Sequence, residues 1–190
     1  RALDPKPASS FREETVQSVT PDILMQSHPD GGWILELNQE TLPRVLVNTE
    51  YFARVSKGVR HKDEKEYVNE RYQTANWLVK SLHQRATTIL KVASKIVKQQ
   101  DAFFRHGVEH LKPLILRDIA QEIEMHESTV SRVTTNKFMA TPRGLYELKY
   151  FFTSAIQSAT GGDAHSAESV RFKIKALIES ESQKSILSDD

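Results

Sequence analysis

From Asp63 to Arg105 the chain contains neither glycine nor proline. Those are the two residues that most readily stop a helix, one by backbone freedom and the other by a missing N–H. Within the run, Val68, Tyr72, Ala75, Val79, Leu82, Ala86, Ile89, Ala93, Ile96 and Phe103 form a stripe of apolar or small residues, with Gln100 as its one polar member. The steps alternate between four and three without a break, the heptad-like spacing of a single helix face. A helix over the whole run would be about 60 Å long at 1.5 Å per residue. That is too long to bury along its length in a chain of 190 residues, so it either braces two modules or lies across a partner. The other reading of the pattern is a helix pair broken near Thr87-Thr88.

Between Tyr72 and Gln100 there is no acid, against Lys80, Arg85, Lys91, Lys95 and Lys98. This bias is either a solvated face or a surface for an acidic partner or phosphate. The chain as a whole has net charge +1, so bulk attraction to nucleic acid or membrane is weak and any such contact must be local. Hydrophobic residues make up 38%, which allows a core but argues against one large core. There are no cysteines, which excludes disulfides and thiolate metal sites and suits a reducing cytoplasm. No apolar run approaches the roughly 20 residues that cross a bilayer, and no signal peptide is visible. The start at Arg1 and the abrupt end at Asp190 read as a piece of something larger.

The flanks are shorter-range. RALDPKPASSF at the start reads as a loop. His28-Pro29-Asp30-Gly31-Gly32 is a turn between Ile23-Leu24-Met25-Gln26 and the alternating Trp33, Leu35 and Leu37, and Pro43 precedes Val45-Leu46-Val47. Two or three antiparallel strands are expected there, with Pro43 at a strand start or edge. Gly107 ends the long helix. Thr141-Pro142 reads as an N-cap with proline at the first helical position, opening a helix through Leu145, Leu148, Tyr150, Phe151, Phe152 and Ile156. Thr160-Gly161-Gly162-Asp163 is a break. Ser166 to Glu181 reads as an amphipathic helix with Val170, Ile174, Leu177 and Ile178 on its apolar side.

The stretch MHESTVSRVTTNKFM, Met125 to Met139, is rich in Ser, Thr, His, Asn and Val, all middling helix formers at best. It follows the periodic segment LRDIAQEI. A helix-turn-helix packs two helices near perpendicular across a tight turn. That geometry needs a small residue at the crossing (Ala120), a turn four or five residues later (Glu124-Met125-His126), and returning apolar anchors (Val130 and Val133). Ile119 and Ile123 complete the buried side. The turn position often taken by Gly is Glu124, which is strained if its φ is positive. With the valines inward, His126, Glu127, Ser128, Ser131, Arg132 and Thr135 point outward. Short hydroxyl side chains let a helix approach a groove wall. Ser and Thr bond phosphates or bases, Glu accepts from cytosine N4, and Arg clamps guanine O6 and N7. Lys137 and Arg143 flank the unit as phosphate anchors. The bland alternatives are a helix-turn-helix used only for packing, a capping role for Ser128, and an Arg132 paired with Glu127 or Glu122.

LKPLILRDIAQEIEMHESTVSRVTTNKFMATPRGLYELKYFFTSAI resembles the helix-turn-helix region of the sigma-54 class of bacterial RNA polymerase sigma factors. LDPKP, the PDILMQ and WILELN strands, and WLVKSLHQRATTILKVASKIVKQQDAFF resemble the same family in the same order, so the likeness covers nearly the whole chain. The resemblance implies transcription initiation: binding to core RNA polymerase, recognition of promoter DNA, and a closed complex held until an ATP-dependent activator remodels it. It implies that the helix-turn-helix faces the −12 region and that the long helix spans from the core-binding part toward the DNA. The family's glutamine-rich N-terminal region, which receives the activator, is not in these residues. Nor is its −24-reading motif ARRTVAKYRE; only the first helix of that last domain, around Ser166 to Ser182, has a counterpart.

His106-Gly107-Val108-Glu109-His110 matches H-x-x-E-H, a zinc hydrolase pattern. It needs two His one turn apart on a stable helix and a third ligand, and Gly107 weakens that helix. Helix-end residues are the plainer reading of both histidines. There is no P-loop or nucleophile motif, so no enzyme, metal or cofactor is expected. The expectation is a mainly α chain, a long helix plus a helix-turn-helix bundle with a small antiparallel β element near the N-terminus. Its segments are the end of a core-binding region at 1–62, the long helix at 63–106, the helix-turn-helix at 107–160, and a linker with the first helix of a further domain at 161–190. The expected state is a cytoplasmic monomer. A dimeric helix-turn-helix repressor, with the heptad stripe as its seam, is the rival reading.

Overall fold

A computed structural model describes residues 18–153, 155–156 and 165–180. The opening RALDPKPASSF, the Thr160–Asp163 break and Glu181 lie outside the described residues. The chain runs through strands β1 (Ile23–Ser27) and β2 (Trp33–Leu37), then helices α1 (Thr49–Gly58), α2 (Lys62–Gln99) and α3 (Asp101–His106). A 3-10 turn, Val108–His110, leads to α4 (Leu116–Glu122) and α5 (Glu127–Thr134). Strands β3 (Phe138–Thr141) and β4 (Gly144–Glu147) follow, then a 3-10 turn at Leu148–Phe151, the short pair β5 (Ala155–Ile156) and β6 (His165–Ser166), and α6 (Ala167–Ser180). The architecture is mainly α, as expected, with a four-stranded sheet and the short β5–β6 pair among the described residues.

The long helix forms almost as its stripe predicts. Helix α2 has 38 residues and passes through Thr87-Thr88 unbroken. Each threonine hydroxyl donates to the carbonyl one turn back, Thr87 to His83 at 3.0 Å and Thr88 to Gln84 at 2.8 Å, which satisfies the hydroxyl inside the helix. A single residue, Gln100 (φ −99°, ψ 21°), separates α2 from α3. This polar member of the stripe is fully buried. Its amide donates to the Lys112 carbonyl at 2.8 Å and accepts the Lys112 N–H at 3.0 Å. One side chain thus satisfies both backbone groups of the segment crossing the helix, which is why a polar residue stands there.

Two expectations about strands are corrected. The sheet has order β2-β1-β3-β4 and is mixed rather than antiparallel. The β1–β2 hairpin forms as expected, but β1 also pairs in parallel with β3, Ile23 opposite Met139 and Leu24 opposite Ala140. Val45-Leu46-Val47 is not a strand; this segment follows Pro43 and lies along α2. Thr141-Pro142 does not open a helix. It turns β3 back into β4, with the Thr141 hydroxyl donating to the Gly144 carbonyl at 2.8 Å and accepting the Arg143 N–H at 3.2 Å. Gly144, at φ +132°, holds a backbone conformation no helix contains. Leu148, Tyr150 and Phe151 instead occupy a 3-10 turn.

The core lies where α2 and α3 meet the sheet and the α4–α5 pair. Ile89, Val92, Ala93, Ile96 and Val97 of α2 join Phe103, Phe104, Ile119, Val130, Met139, Leu148 and Phe151. Phe103 stands edge-on to Phe104, Tyr146 and Phe151 at ring-centroid distances of 5.1–5.4 Å, the preferred aromatic geometry. Helix α1 packs on the start of α2 through Phe52, stacked on Tyr72 at 3.9 Å. Helix α6 packs against the Val108–His110 turn. Ser166 caps it by accepting the Ser169 N–H at 3.1 Å, while Ile174, Leu177 and Ile178 on its expected apolar side are exposed.

Candidate nucleic-acid interface

Helix α4 ends in a Schellman closure. The Met125 N–H donates to the Ala120 carbonyl at 2.9 Å and the Glu124 N–H to the Gln121 carbonyl at 3.3 Å. That motif puts its pivot residue in the left-handed region, usually as glycine. Here the pivot is Glu124, at φ +55°, so the strain foreseen at this position is present. His126 is the N-cap of helix α5. Its Nδ1 accepts the Ser128 N–H at 3.2 Å and lies 2.9 Å from the Ser128 hydroxyl. Because Nδ1 accepts a backbone N–H, the neutral ring carries its proton on Nε2.

The inward anchors are Val130, fully buried, and Thr134, 1% exposed, with Val133 half-buried. Ala120 is buried at the crossing with Ile119. Thr134 is an anchor that the pattern of apolar residues does not mark. Its hydroxyl turns back to the Val130 carbonyl at 2.9 Å, leaving its methyl to fill the contact four residues after Val130. The i, i+4 step was the available signal.

Of the outward candidates, His126, Glu127, Ser128, Arg132 and Thr135 are exposed and Ser131 is half-buried. The Thr135 hydroxyl donates to the Ser131 carbonyl at 2.8 Å. Arg132 has no hydrogen bond or ion pair among the described residues. Glu122, one alternative partner for it, is taken by Lys95 at 3.0 Å and by the Gln99 amide. Those two hydrogen bonds, the Lys95 one foremost, hold the Glu122 carboxyl below the usual carboxylate range.

Lys137 and Arg143 are both engaged within the chain. The Lys137 ammonium is 2.8 Å from Asp22 Oδ1. The Arg143 guanidinium lies across Gly107 and donates to the carbonyls of Phe104, at 2.7 Å, and Arg105. A cation there meets the free carbonyls at the end of α3. It ties the β3–β4 tip to the end of the long helix.

The basic run of α2 divides in the same way. Lys95 is committed to Glu122, whereas Lys80, Arg85, Lys91 and Lys98 are exposed. Lys80 and Lys91, with His83, Gln84 and Thr87, line a groove of about 640 Å³ whose other wall is Ile123 and Met125 of the helix-turn-helix turn. This groove was missed from sequence, because nothing local shows that residues 80–91 and 123–125 are neighbours. His106 and His110 do not share a helix. Gly107 (φ +110°) ends α3 between them, and no third metal-ligating side chain joins them among the described residues.

A fixed helix bearing short hydroxyls and a guanidinium without a partner among the described residues, beside a groove lined by exposed lysines, can meet a polyanion with directional donors. Comparisons with known proteins agree on the kind. Residues 65–190 match the family described as Sigma-54, DNA binding domain, and residues 1–51 the Sigma-54 factor, core binding domain. The chain is 60% identical over 191 residues to an RNA polymerase sigma-54 factor of Rhizobium meliloti, covering 100% of this chain and 37% of that protein. It is 57% identical to one of Caulobacter vibrioides, again over 100% of this chain and 38% of the relative. The chain therefore spans well under half the length of these curated relatives. A crystal structure of Aquifex aeolicus sigmaN bound to promoter DNA superimposes with a TM-score of 0.58 at 28% identity, over 90% of this chain and 50% of that one.

Proposed function

The chain belongs to the sigma-54 family, and on that premise we propose that it directs RNA polymerase to promoters by reading DNA with α5. In this reading the helix-turn-helix faces the −12 region, and Glu127, Ser128, Ser131, Arg132 and Thr135 meet base edges or nearby phosphates, with His126 at the helix start. The N-terminal part contacts core RNA polymerase, and an ATP-dependent activator acts through a region outside these residues. The protein works as a monomer with respect to its own copies. The observation that carries the reading is Arg132: exposed, without a partner among the described residues, and held on a helix whose opposite face is sealed by Val130 and Thr134.

The monomeric reading is supported by the fate of the heptad stripe. Ile89, Ala93, Ile96 and Phe103 are buried within the chain, which takes the C-terminal half of the stripe out of any dimer seam. A tight dimer in sedimentation at micromolar concentration would favour the repressor alternative.

The test is Arg132→Ala in a promoter-binding assay. The expected outcome is a loss of discrimination at one or two base pairs worth about 1–3 kcal/mol, with other positions unaffected. An equal loss on all sequences would make Arg132 a phosphate contact and remove base reading from it.

A further inference from the structure

The C-terminal end of α5 leaves the helix through only two residues, Thr135 and Asn136, before Lys137 and β3. Asn136 is left-handed, at φ +52°, and its N–H donates to Glu147 Oε1 at 2.9 Å. What β3 is fastened to therefore fixes where that end of α5 points. On one side β3 pairs with β4 along four residues. On the other its ladder with β1 has just two residue pairs, and parallel pairing is the weaker kind per residue.

Asp22 stands at the start of that short ladder and bonds it three times. Its N–H donates to the Phe138 carbonyl at 2.9 Å. Its Oδ2 accepts the Phe138 N–H at 3.1 Å, and its Oδ1 accepts from the Lys137 ammonium at 2.8 Å. Its side chain is 13% exposed and that of Lys137 24%, so the pair is partly screened from water and stronger than a surface pair. Its carbonyl meanwhile accepts the Asn38 N–H at 2.8 Å, closing the β1–β2 hairpin. That hairpin is itself fixed to α3, which follows the long helix after Gln100. The Trp33 indole donates to Asp101 Oδ1 at 2.7 Å, and Arg105 reaches the Gly31 carbonyl and the Trp33 ring face.

We propose that Asp22 is a positioning residue for DNA reading. Through Lys137 and Phe138 it sets the exit of α5 relative to the long helix, and so the aim of Arg132 and Thr135. The N-terminal hairpin is then part of the DNA reader as well as of the segment matched to the core-binding family. Lys137 serves as the other half of this clasp. The inference rests on the reading of α5 given above, and it reassigns the charge that the sequence suggested for a phosphate.

Two measurements separate the inference from that reading. The chain has no native cysteine, so Gln84→Cys on α2 and Thr135→Cys at the end of α5 can carry a spin-label pair. Without DNA, Asp22→Ala broadens the distance distribution, Asp22→Asn does so less because its amide oxygen still accepts the Phe138 N–H, and the helical circular dichroism is kept. An unchanged distribution in Asp22→Ala overturns the proposal whether or not DNA is read by α5. In binding, a duplex carrying a −12 element is compared with the same duplex scrambled there. Asp22→Ala lowers the ratio of the two affinities by about tenfold, the scale of one mismatched pair, and Lys137→Ala lowers it in the same direction. An equal loss on both duplexes in Lys137→Ala, with the salt slope reduced by about one, would make Lys137 a phosphate contact and sink the clasp. A wild-type chain that does not discriminate at all would instead count against the reading of α5, with the label distances still deciding the role of Asp22.

Discussion

The two halves of the long helix carry one apolar pattern and meet opposite fates. In the C-terminal half, Thr88, Ile89, Val92, Ala93, Ile96 and Val97 are buried. In the N-terminal half no residue is buried; Tyr72, Ala75, Val79 and Leu82 are half-covered and Trp77 is 67% exposed. The same stripe thus reports which face is apolar but not whether anything in the chain covers it. The covered half is where the sheet and the helix-turn-helix converge. Among the described residues, α1 and the extended 41–46 segment lie against the other half. A helix of this length has more apolar face than the elements among the described residues cover.

That contrast can be tested from the largest effect downward. Ile96→Ala opens a cavity in a fully buried site and should cost about 2–5 kcal/mol, whereas Leu78→Ala, 46% exposed, should stay within about 0.5 kcal/mol. Urea unfolding of both variants measures the difference, and comparable losses would mean that the exposed half is covered in solution. Gln100→Ala removes the acceptor and donor that serve Lys112 and should cost about 2–3 kcal/mol. The expected signature is faster amide exchange at Lys112; protection unchanged there would deny the bridging role.

The smallest effect is electrostatic and belongs to the covered end alone. Hydrogen bonds from Arg105, then from Trp33, hold the Asp101 carboxyl below the usual carboxylate range. A group with a depressed folded pKa stabilises fully above its unfolded value, near 3.9, and loses that contribution as pH falls through the lower folded value. Asp101 is 44% exposed, so solvent screens the effect and it is modest. In a Trp77→Phe background, Trp33 fluorescence should hold steady from pH 8 to about 4 and change below that. A transition centred near pH 6 would point to a histidine instead.

Where sequence-based expectations failed, a local signal had two readings. Thr141-Pro142 is a good helix start in isolation; Gly144 two residues later, and the alternation of Phe138 to Glu147, make it a hairpin. Val45-Leu46-Val47 has β-branched character but no strand beside it to pair with. Helix α1 has no buried residue to mark it in the sequence; it packs on the start of α2, with Phe52 stacked on Tyr72. The helix-turn-helix was legible because its geometry demands a local spacing, Ala120 to Glu124 to Val130, that the sequence displays in one stretch.

By itself the sequence determined the length and face of the central helix, the helix-turn-helix and its outward residues, and the family. The helix and the helix-turn-helix depend on periodicity or spacing within a few turns, which a linear pattern carries in full; the family is legible as a resemblance of whole motifs such as MHESTVSRVTTNK. Only the tertiary structure decided that β1 and β3 share a ladder, that Lys137 belongs to Asp22 and Arg143 to the end of α3, and that Arg132 has no partner among the described residues. Those outcomes join residues up to 116 positions apart, and a charge does not reveal in sequence which distant partner will claim it.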